Sequence, residues 1–204
     1  MKKRIRQWLV LFLGGLIITV FSGSAPASEF SADTVMKGGT MSGKGKIWVK
    51  DNKMRQEYDD RFGNIITILD LDQGIHWVLM PQTKTYMKNK IETKGKGFRP
   101  ENILGVQKSH MKVQSELVGV ESVNGYKCDK YVITFSKQEM GTMTQWFAKE
   151  LGYPIKSISK GGQMGEIVSE LQNIVRESVK DDFFKIPSGY KEMQQPQMPQ
   201  MDMK

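Results

Sequence analysis

The chain has few of the residues on which covalent cross-linking and metal chemistry depend. Its 204 residues include one cysteine, Cys128, and two histidines, His76 and His110. A lone thiol excludes a disulfide within the chain, so the fold draws its stability from packing, or the thiol links to a second molecule. His76 lies between Ile75 and Trp77 in an apparent strand, where we expect a structural histidine rather than a catalytic base.

Signatures of catalysis are also missing. Ser159, Ser169 and Ser178 lack the strand-to-helix setting of a nucleophile elbow. The glycine pairs at 38–39 and 161–162 fall in predicted turns and do not form a phosphate-binding loop. The sequence therefore predicts that the chain is not an enzyme and needs no cofactor.

An uncharged apolar run occurs at the start of the chain. Residues 2–6 carry four basic side chains, residues 8–21 are free of charge, and Ala-Pro-Ala at 25–27 offers a small-x-small peptidase site. The pattern predicts a signal peptide over residues 1–27 and a mature chain that begins at Ser28 in the periplasm. An uncleaved membrane anchor is the alternative. No cysteine follows the site, so the sequence gives no sign of a lipoprotein anchor.

Positive charge is modest without this leader. The net charge is +8 for the whole chain, and four of these charges lie in the leader, which leaves +4. This excess does not predict nucleic-acid binding. We expect one domain over residues 28–192, long enough to bury a core, followed by a tail at 193–204.

Short apolar runs separated by turn residues dominate the rest of the chain and predict an antiparallel sheet. Turns at 61–64, 72–74 and 81–83 separate the predicted strands 53–58, 65–69, 75–80 and 84–87. Asn124-Gly125 is the strongest hairpin signal, because both residues tolerate the positive φ of a tight primed turn. It joins predicted strands at 113–123 and 126–135.

Helical signals are few. Residues 98–107 form the best candidate, with Pro100 suited to a first turn, and residues 33–36 are a weaker one. Residues 165–175 fit helical spacing and partly fit strand spacing. Periodicity alone favours a helix there.

Three segments resemble small periplasmic proteins of the LolA-like superfamily, which includes outer-membrane lipoprotein carriers. They are residues 123–131 (Val-Asn-Gly-Tyr-Lys-Cys-Asp-Lys-Tyr), 146–155 (Trp-Phe-Ala-Lys-Glu-Leu-Gly-Tyr-Pro-Ile) and 184–190 (Phe-Lys-Ile-Pro-Ser-Gly-Tyr). The resemblance extends to the earlier hairpin at 66–87 and covers most of the mature chain.

This resemblance implies a mainly β fold with minor α content, in which a curved antiparallel sheet forms a half barrel around an apolar cavity closed by helices. It implies that residues 165–175 form a late strand of the sheet, and that residues 181–190 form a short turn that closes the barrel. The resemblance also implies a binding protein.

Large apolar side chains on predicted strands are candidates to line such a cavity, where methionine and aromatic groups adapt to an acyl chain. Some of them must instead form the core. The candidates are Trp48, Met54, Trp77, Leu79, Tyr86, Tyr131, Ile133, Phe135 and Trp146.

Methionine, glutamine and proline dominate the tail, which predicts a segment without a packed core. The thioethers of Met198, Met201 and Met203 are of the kind that binds Cu(I). A solvated tail without metal is the alternative, since the chain contains 14 methionines in all.

Together these features predict a monomeric periplasmic protein that binds an apolar ligand, a lipid or a lipidated protein. The rival interpretation is an envelope interaction or stress-sensing module with a protein partner, whose apolar strands are only core. A third is Cu(I) binding by the tail.

Overall fold

We describe a computed structural model of the chain over residues 29–38, 42–60, 63–91, 97–99, 113–136, 141–161 and 165–193. These residues form twelve strands and one short 3-10 helix, Asp181–Phe184. The strands are β1 (Glu29–Lys37), β2 (Gly43–Lys50), β3 (Lys53–Asp60), β4 (Gly63–Asp70), β5 (Ile75–Met80), β6 (Thr85–Lys90), β7 (Val113–Val123), β8 (Tyr126–Phe135), β9 (Thr142–Ala148), β10 (Tyr153–Lys160), β11 (Ile167–Val175) and β12 (Lys191–Glu192).

All twelve strands belong to one sheet, in the order β12-β6-β5-β4-β3-β2-β1-β11-β10-β9-β8-β7. The pairings are antiparallel, except that the two residues of β12 lie parallel to β6. The mainly β, antiparallel fold predicted from the sequence is therefore confirmed. β11 covers most of residues 165–175, so the strand prediction made there against helical periodicity is also confirmed.

The turn residues in the sequence predicted the bounds of several strands correctly. β7 and β8 have the predicted bounds, and their turn contains Asn124 with φ 48° and Gly125 with φ 82°. Both values lie in the left-handed region that a type I′ turn requires. β5 also begins and ends at the predicted residues.

The predicted helical cover is not supported. Residues 33–36 lie in β1, where the alternating side chains of Phe30, Ala32 and Thr34 are buried against the sheet. Of the predicted helix 98–107, the structure describes only Phe98 and Arg99, and neither is helical. Nor does the described part of the chain contain a helix long and apolar enough to cross a membrane.

An extended C-terminal segment, residues 176–193, covers one face of the sheet in place of helices. Val179 and Phe184 of this segment pack with Ile66, Ile68 and Leu79 of β4 and β5. Its end adds β12 to the edge of β6, where the Met193 amide donates to the Tyr86 carbonyl oxygen at 2.8 Å. The segment therefore runs from β11, near the middle of the sheet, to β6 near one end of it.

The opposite face carries the larger core cluster. Phe30, Ile47, Val49, Met54 and Leu171 are among its members. Cys128 is also buried in this cluster as a free thiol, and burial raises its pKa. A buried thiol suits the packing interpretation of the lone cysteine rather than a link to a second molecule.

Candidate ligand-binding site

A pocket of about 170 Å³ lies at the centre of the sheet, on the face of the larger core cluster. We call it the central pocket. Its walls come from six strands that are neighbours in the sheet, from β3 with Gln56 to β9 with Gln145. In a flat sheet these two strands would lie about 24 Å apart, at about 4.8 Å per strand. Since both side chains line one small pocket, the sheet is strongly curved and this face is concave.

Two irregularities in strand pairing lie beside the pocket. The register between β1 and β11 shifts between Ser31 and Asp33, and that between β9 and β10 shifts between Pro154 and Lys156. Such bulges increase local twist and bend the strand that contains the extra residue. Both shifts lie between strands that form the pocket, which is where the curvature is needed.

The pocket combines an apolar floor with polar walls. Ile47, Ile155 and Leu171 form the floor and are all buried. The other lining residues are Thr34, Gln56, Gln145, Tyr153, Pro154, Lys156, Ser157 and Ser169. Among the described residues, no carboxylate lines the pocket.

Thr34 is the most constrained polar residue of the wall. Its side chain is buried, with only 3% of the residue exposed, and its Oγ1 has no hydrogen-bond partner among the described residues. Gly45 lies opposite it in β2. A Cβ at Gly45 would lie 2.9 Å from Thr34 Oγ1 and 2.1 Å from the Glu57 carbonyl oxygen, so a larger residue would crowd the hydroxyl. Glycine at this position avoids that crowding.

Gln145 carries a second unsatisfied atom. Its Oε1 is buried and has no hydrogen-bond partner in the described part of the chain. Gln145 pairs with Ser157 of β10, which pairs in turn with Ser169 of β11, so the three polar side chains form a row across three strands. A buried polar group without a partner costs free energy, and the pocket therefore holds hydrogen-bonding capacity that the protein itself does not use.

The positive charge of Lys156 lies outside this row. The Lys156 ammonium is 5.3 Å from the centroid of the Trp146 ring, and Trp146 directly follows Gln145 in β9. Consecutive residues of a strand point to opposite faces. Trp146 and the Lys156 ammonium thus lie on the other side of β9 from Gln145, although Trp146 belongs to the larger core cluster and Lys156 is one of the lining residues.

Aromatic rings close one side of the pocket. The Tyr153 ring packs edge-on against Phe30, at 5.7 Å between ring centroids, and at a tilt against Phe98, at 5.0 Å. Burial raises the pKa of the Tyr153 hydroxyl, which therefore remains protonated at neutral pH.

The nine residues predicted from the sequence to line a cavity lie in different parts of the structure. Trp48, Trp77, Leu79 and Tyr86 come together on the convex face, in the cluster covered by the C-terminal segment. Trp48 stacks at 5.2 Å on Phe183 of that segment. None of these four residues lines the central pocket.

The other five candidates are divided as well. Met54 and Trp146 belong to the larger core cluster, and Ile133 is fully buried. Tyr131 pairs with Gln145, and Phe135 with Val113. Trp146 donates from Nε1 to Glu121 at 2.7 Å. None of the five lines the central pocket, and ligand contact by any of the nine candidates stays a prediction.

Sequence reasoning missed the polar wall. Small or uncharged polar residues in strands usually face solvent. The residues of this kind in the wall are Thr34, Gln145, Ser157 and Ser169. Only the register, which aligns them across the sheet, reveals that they face one pocket.

The proposed Cu(I) ligands Met198, Met201 and Met203 lie outside the described residues. Within the described ranges, no group of three or more histidine, cysteine, aspartate or glutamate side chains is placed to hold a metal ion.

Comparison with known proteins identifies the family. Residues 30–153 match the family described as Domain of unknown function (DUF4412), which is more than half of the chain. The chain belongs to the DUF4412 family. No curated protein matches this DUF4412 chain.

Solved structures show the fold of this DUF4412 protein. It is similar to an uncharacterized conserved protein from Thermus thermophilus, with a TM-score of 0.53 at 11% identity over 83% of this chain and 91% of that one. A LolA superfamily protein from Nitrosomonas europaea also matches, at 12% identity and a TM-score of 0.38 over 78% of this chain and 91% of that chain. A member of the superfamily that the sequence resembles is thus among the solved structures similar to this chain.

A further match is MucB from Pseudomonas aeruginosa, in a structure of the MucA/MucB complex. The identity is 12%, the TM-score is 0.48, and the match covers 78% of this chain. This chain spans 55% of the matched chain.

Proposed function

We propose that this DUF4412 protein is exported to the periplasm and binds an apolar ligand, a lipid or a lipidated protein, on the concave face of its sheet. The central pocket, with its apolar floor and unsatisfied polar wall, is the observation that carries this proposal. It is a recess that offers both apolar contact and hydrogen bonds.

The size of the pocket defines what it can take. Sites that enclose a whole drug-sized ligand have volumes of about 300–1,000 Å³. The central pocket is smaller, about 170 Å³, so it accommodates one end of an amphiphile and not the whole molecule.

Further apolar side chains are available on the concave face for the rest of the ligand. Val78 of β5 pairs with Met87 of β6. Ile65 of β4 pairs with Tyr58 of β3, which pairs in turn with Gly45 of β2. Ile65 is 36% exposed, and Met87 and Val78 are partly buried. Methionine adapts to a flexible chain, and each buried methylene contributes about 0.8 kcal/mol. A few methylenes on this surface therefore offset part of the cost of association.

Location outside the cytoplasm is supported by the signal peptide predicted at residues 1–27. N-terminal sequencing of the protein purified from the envelope should give Ser28 or a residue close to it. A purified protein that retains residues 8–21 would contradict the proposed export of a free mature chain.

We also propose that the protein binds its ligand without transforming it. His76 pairs with Leu69 and Asn89 in the neighbouring strands, and burial lowers its pKa. The described lining of the pocket offers hydroxyl and amide groups, without a histidine or a carboxylate. Recovery of a bound lipid in chemically altered form after incubation would overturn this part of the proposal.

The proposal is tested by dye uptake and displacement. The protein, produced from the full chain, is titrated with an environment-sensitive apolar fluorophore, and a lipid is then added as competitor. We expect Ser169→Leu, which fills the central pocket, to reduce uptake, whereas Ser122→Leu on exposed β7 serves as the control. Equal uptake by both variants and the parent, or no uptake at all, would contradict a ligand site in the pocket.

A protein partner is the second candidate, and the edge strand β7 favours it. Leu117, Val118 and Val120 of β7 are 54%, 47% and 51% exposed, at the end of the sheet. An exposed apolar edge is a template for an added strand from a partner. Substitution of Val118 and Val120 by lysine should abolish capture of such a partner and leave dye uptake unchanged.

A further inference from the structure

We propose that the central pocket binds the uncharged, hydroxyl-bearing head group of a lipid, such as the glycerol group of a monoacylglycerol. This inference rests on the proposed function and names the class of ligand for the same site. The polar wall of the pocket favours ligand groups that form hydrogen bonds. The row of uncharged side chains in that wall offers no ion pair to an ionised head group.

Thr34 provides the anchor. Thr34 lines the pocket, and its hydroxyl is buried and has no partner among the described residues. A buried hydroxyl in this state is more stable when a ligand atom completes its hydrogen bond. Because a hydroxyl both donates and accepts, it is suited to a ligand hydroxyl, which does the same.

Gln145, Ser157 and Ser169 continue the polar wall. Gln145 Oε1 accepts hydrogen bonds and lacks a donor within the described ranges, so an O–H or N–H group of the ligand would satisfy it. A carboxylate or a phosphodiester has only acceptor oxygens and cannot satisfy this atom.

The small number of charged residues in the lining also favours a neutral head group. Among the lining residues only Lys156 is charged, and its ammonium lies over the Trp146 ring. An anionic head group in the pocket would have only Lys156 as an ion-pair partner, against the cost of losing its hydration. A neutral head group avoids this cost.

The volume is consistent with a group of this size. A water molecule occupies about 30 Å³ in the liquid, so about 170 Å³ corresponds to a few water molecules. A glycerol group fits within such a space, and its ester-linked chain would leave across the apolar floor formed by Ile47 and Leu171.

The experiment compares monooleoylglycerol with oleate, which has the same chain and a carboxylate head. Dissociation constants are measured by displacement of the fluorophore at about pH 7.5, for the parent and for Thr34→Val. We expect the parent to bind monooleoylglycerol at least about tenfold more tightly than oleate. We expect Thr34→Val to weaken monooleoylglycerol about three- to tenfold and to leave oleate nearly unchanged.

Thr144→Val is the matched control, because Thr144 precedes Gln145 in β9 and points to the opposite face. It should leave both affinities unchanged. Thermal unfolding supplies a second readout: Thr34→Val should melt no lower than the parent, since its hydroxyl makes no hydrogen bond within the described protein.

The outcomes separate this inference from the proposed function. If both lipids bind equally and Thr34→Val changes neither, the head-group assignment is wrong, although the apolar site stands. If oleate binds more tightly, the head-group assignment is also wrong. If neither lipid displaces the fluorophore, the proposed function itself fails, and the head-group assignment fails with it.

Discussion

Asn124, in the turn between β7 and β8, donates a hydrogen bond from Nδ2 to the carbonyl oxygen of Leu171 in β11 at 2.8 Å. The same amide lies 2.9 Å from Glu170 Oε1. β8 is separated from β11 by β9 and β10 in the sheet, so the two residues would lie about 14 Å apart if the sheet were flat. The contact therefore fastens the curved end of the sheet to a strand that lines the central pocket.

Replacement of Asn124 by glycine tests this contact. Glycine keeps the positive φ of 48° without strain and removes both hydrogen bonds of the side chain. We expect the free energy of unfolding to fall by about 1 kcal/mol, measured by urea denaturation. We expect ligand affinity to fall as well, because β11 loses a restraint. An unchanged stability would show that the turn does not fasten the sheet.

Arg55 is expected to hold the C-terminal segment on the convex face. It is buried, its Nη1 donates to the Phe183 carbonyl oxygen at 3.1 Å, and its Nη2 lies 2.7 Å from Glu57 Oε1. We predict that Arg55→Met lowers the free energy of unfolding by about 1–3 kcal/mol, since Phe183 and Glu57 each lose a partner.

Arg176→Met is the control for this change. Arg176 forms an exposed ion pair with Glu150 at 2.6 Å, and exposed pairs contribute little. Its loss should change stability by less than about 1 kcal/mol. Equal effects of the two substitutions would contradict the role given to Arg55.

Acid should release the C-terminal segment before the sheet unfolds. A hydrogen bond from the Val179 amide lowers the pKa of Glu29 below its ordinary value of 4.5, and a hydrogen bond from Lys50 lowers that of Asp181 below 3.8. Because both pKa values are lower in the folded chain, the stabilisation is complete above these ordinary values. It is lost as the pH falls through the lowered ones.

Amide hydrogen exchange of Val179 measures this release. We expect its protection to fall below about pH 4 while that of Ile68 in β4 persists. In Glu29→Gln, which cannot ionise, the dependence of Val179 protection on pH should weaken. Val179 and Ile68 losing protection together at every pH would show that the segment does not detach separately.

The sequence predicts strands well where a turn has specific chemistry, as at Asn124-Gly125. It fails at residues 33–36 because their local pattern is too short to reveal the pairing of β1 with both β2 and β11. The pocket was not predictable, because it depends on curvature and on two register shifts. Thr34 and Gln145 are 111 positions apart in the sequence, and only the order of the strands brings them to one site.

Deletion of residues 194–204 tests the predicted tail. Its composition leads us to expect an unchanged melting temperature and unchanged lipid affinity. If Met198, Met201 and Met203 bind Cu(I), the truncated chain should also lose Cu(I) affinity in a competition titration. A large loss of stability would show instead that the tail packs against the domain.

The concave location of the ligand is tested most directly by photolabelling. A monoacylglycerol with a photoreactive diazirine in its acyl chain is bound to the protein and irradiated, and the labelled peptides are mapped by mass spectrometry. We predict labels on the concave face, on the strands that line the central pocket and on β4, β5 and β6 beside it, and their loss on addition of unlabelled monooleoylglycerol. Competable labels confined to the convex cluster around Trp77 and the C-terminal segment would contradict the account.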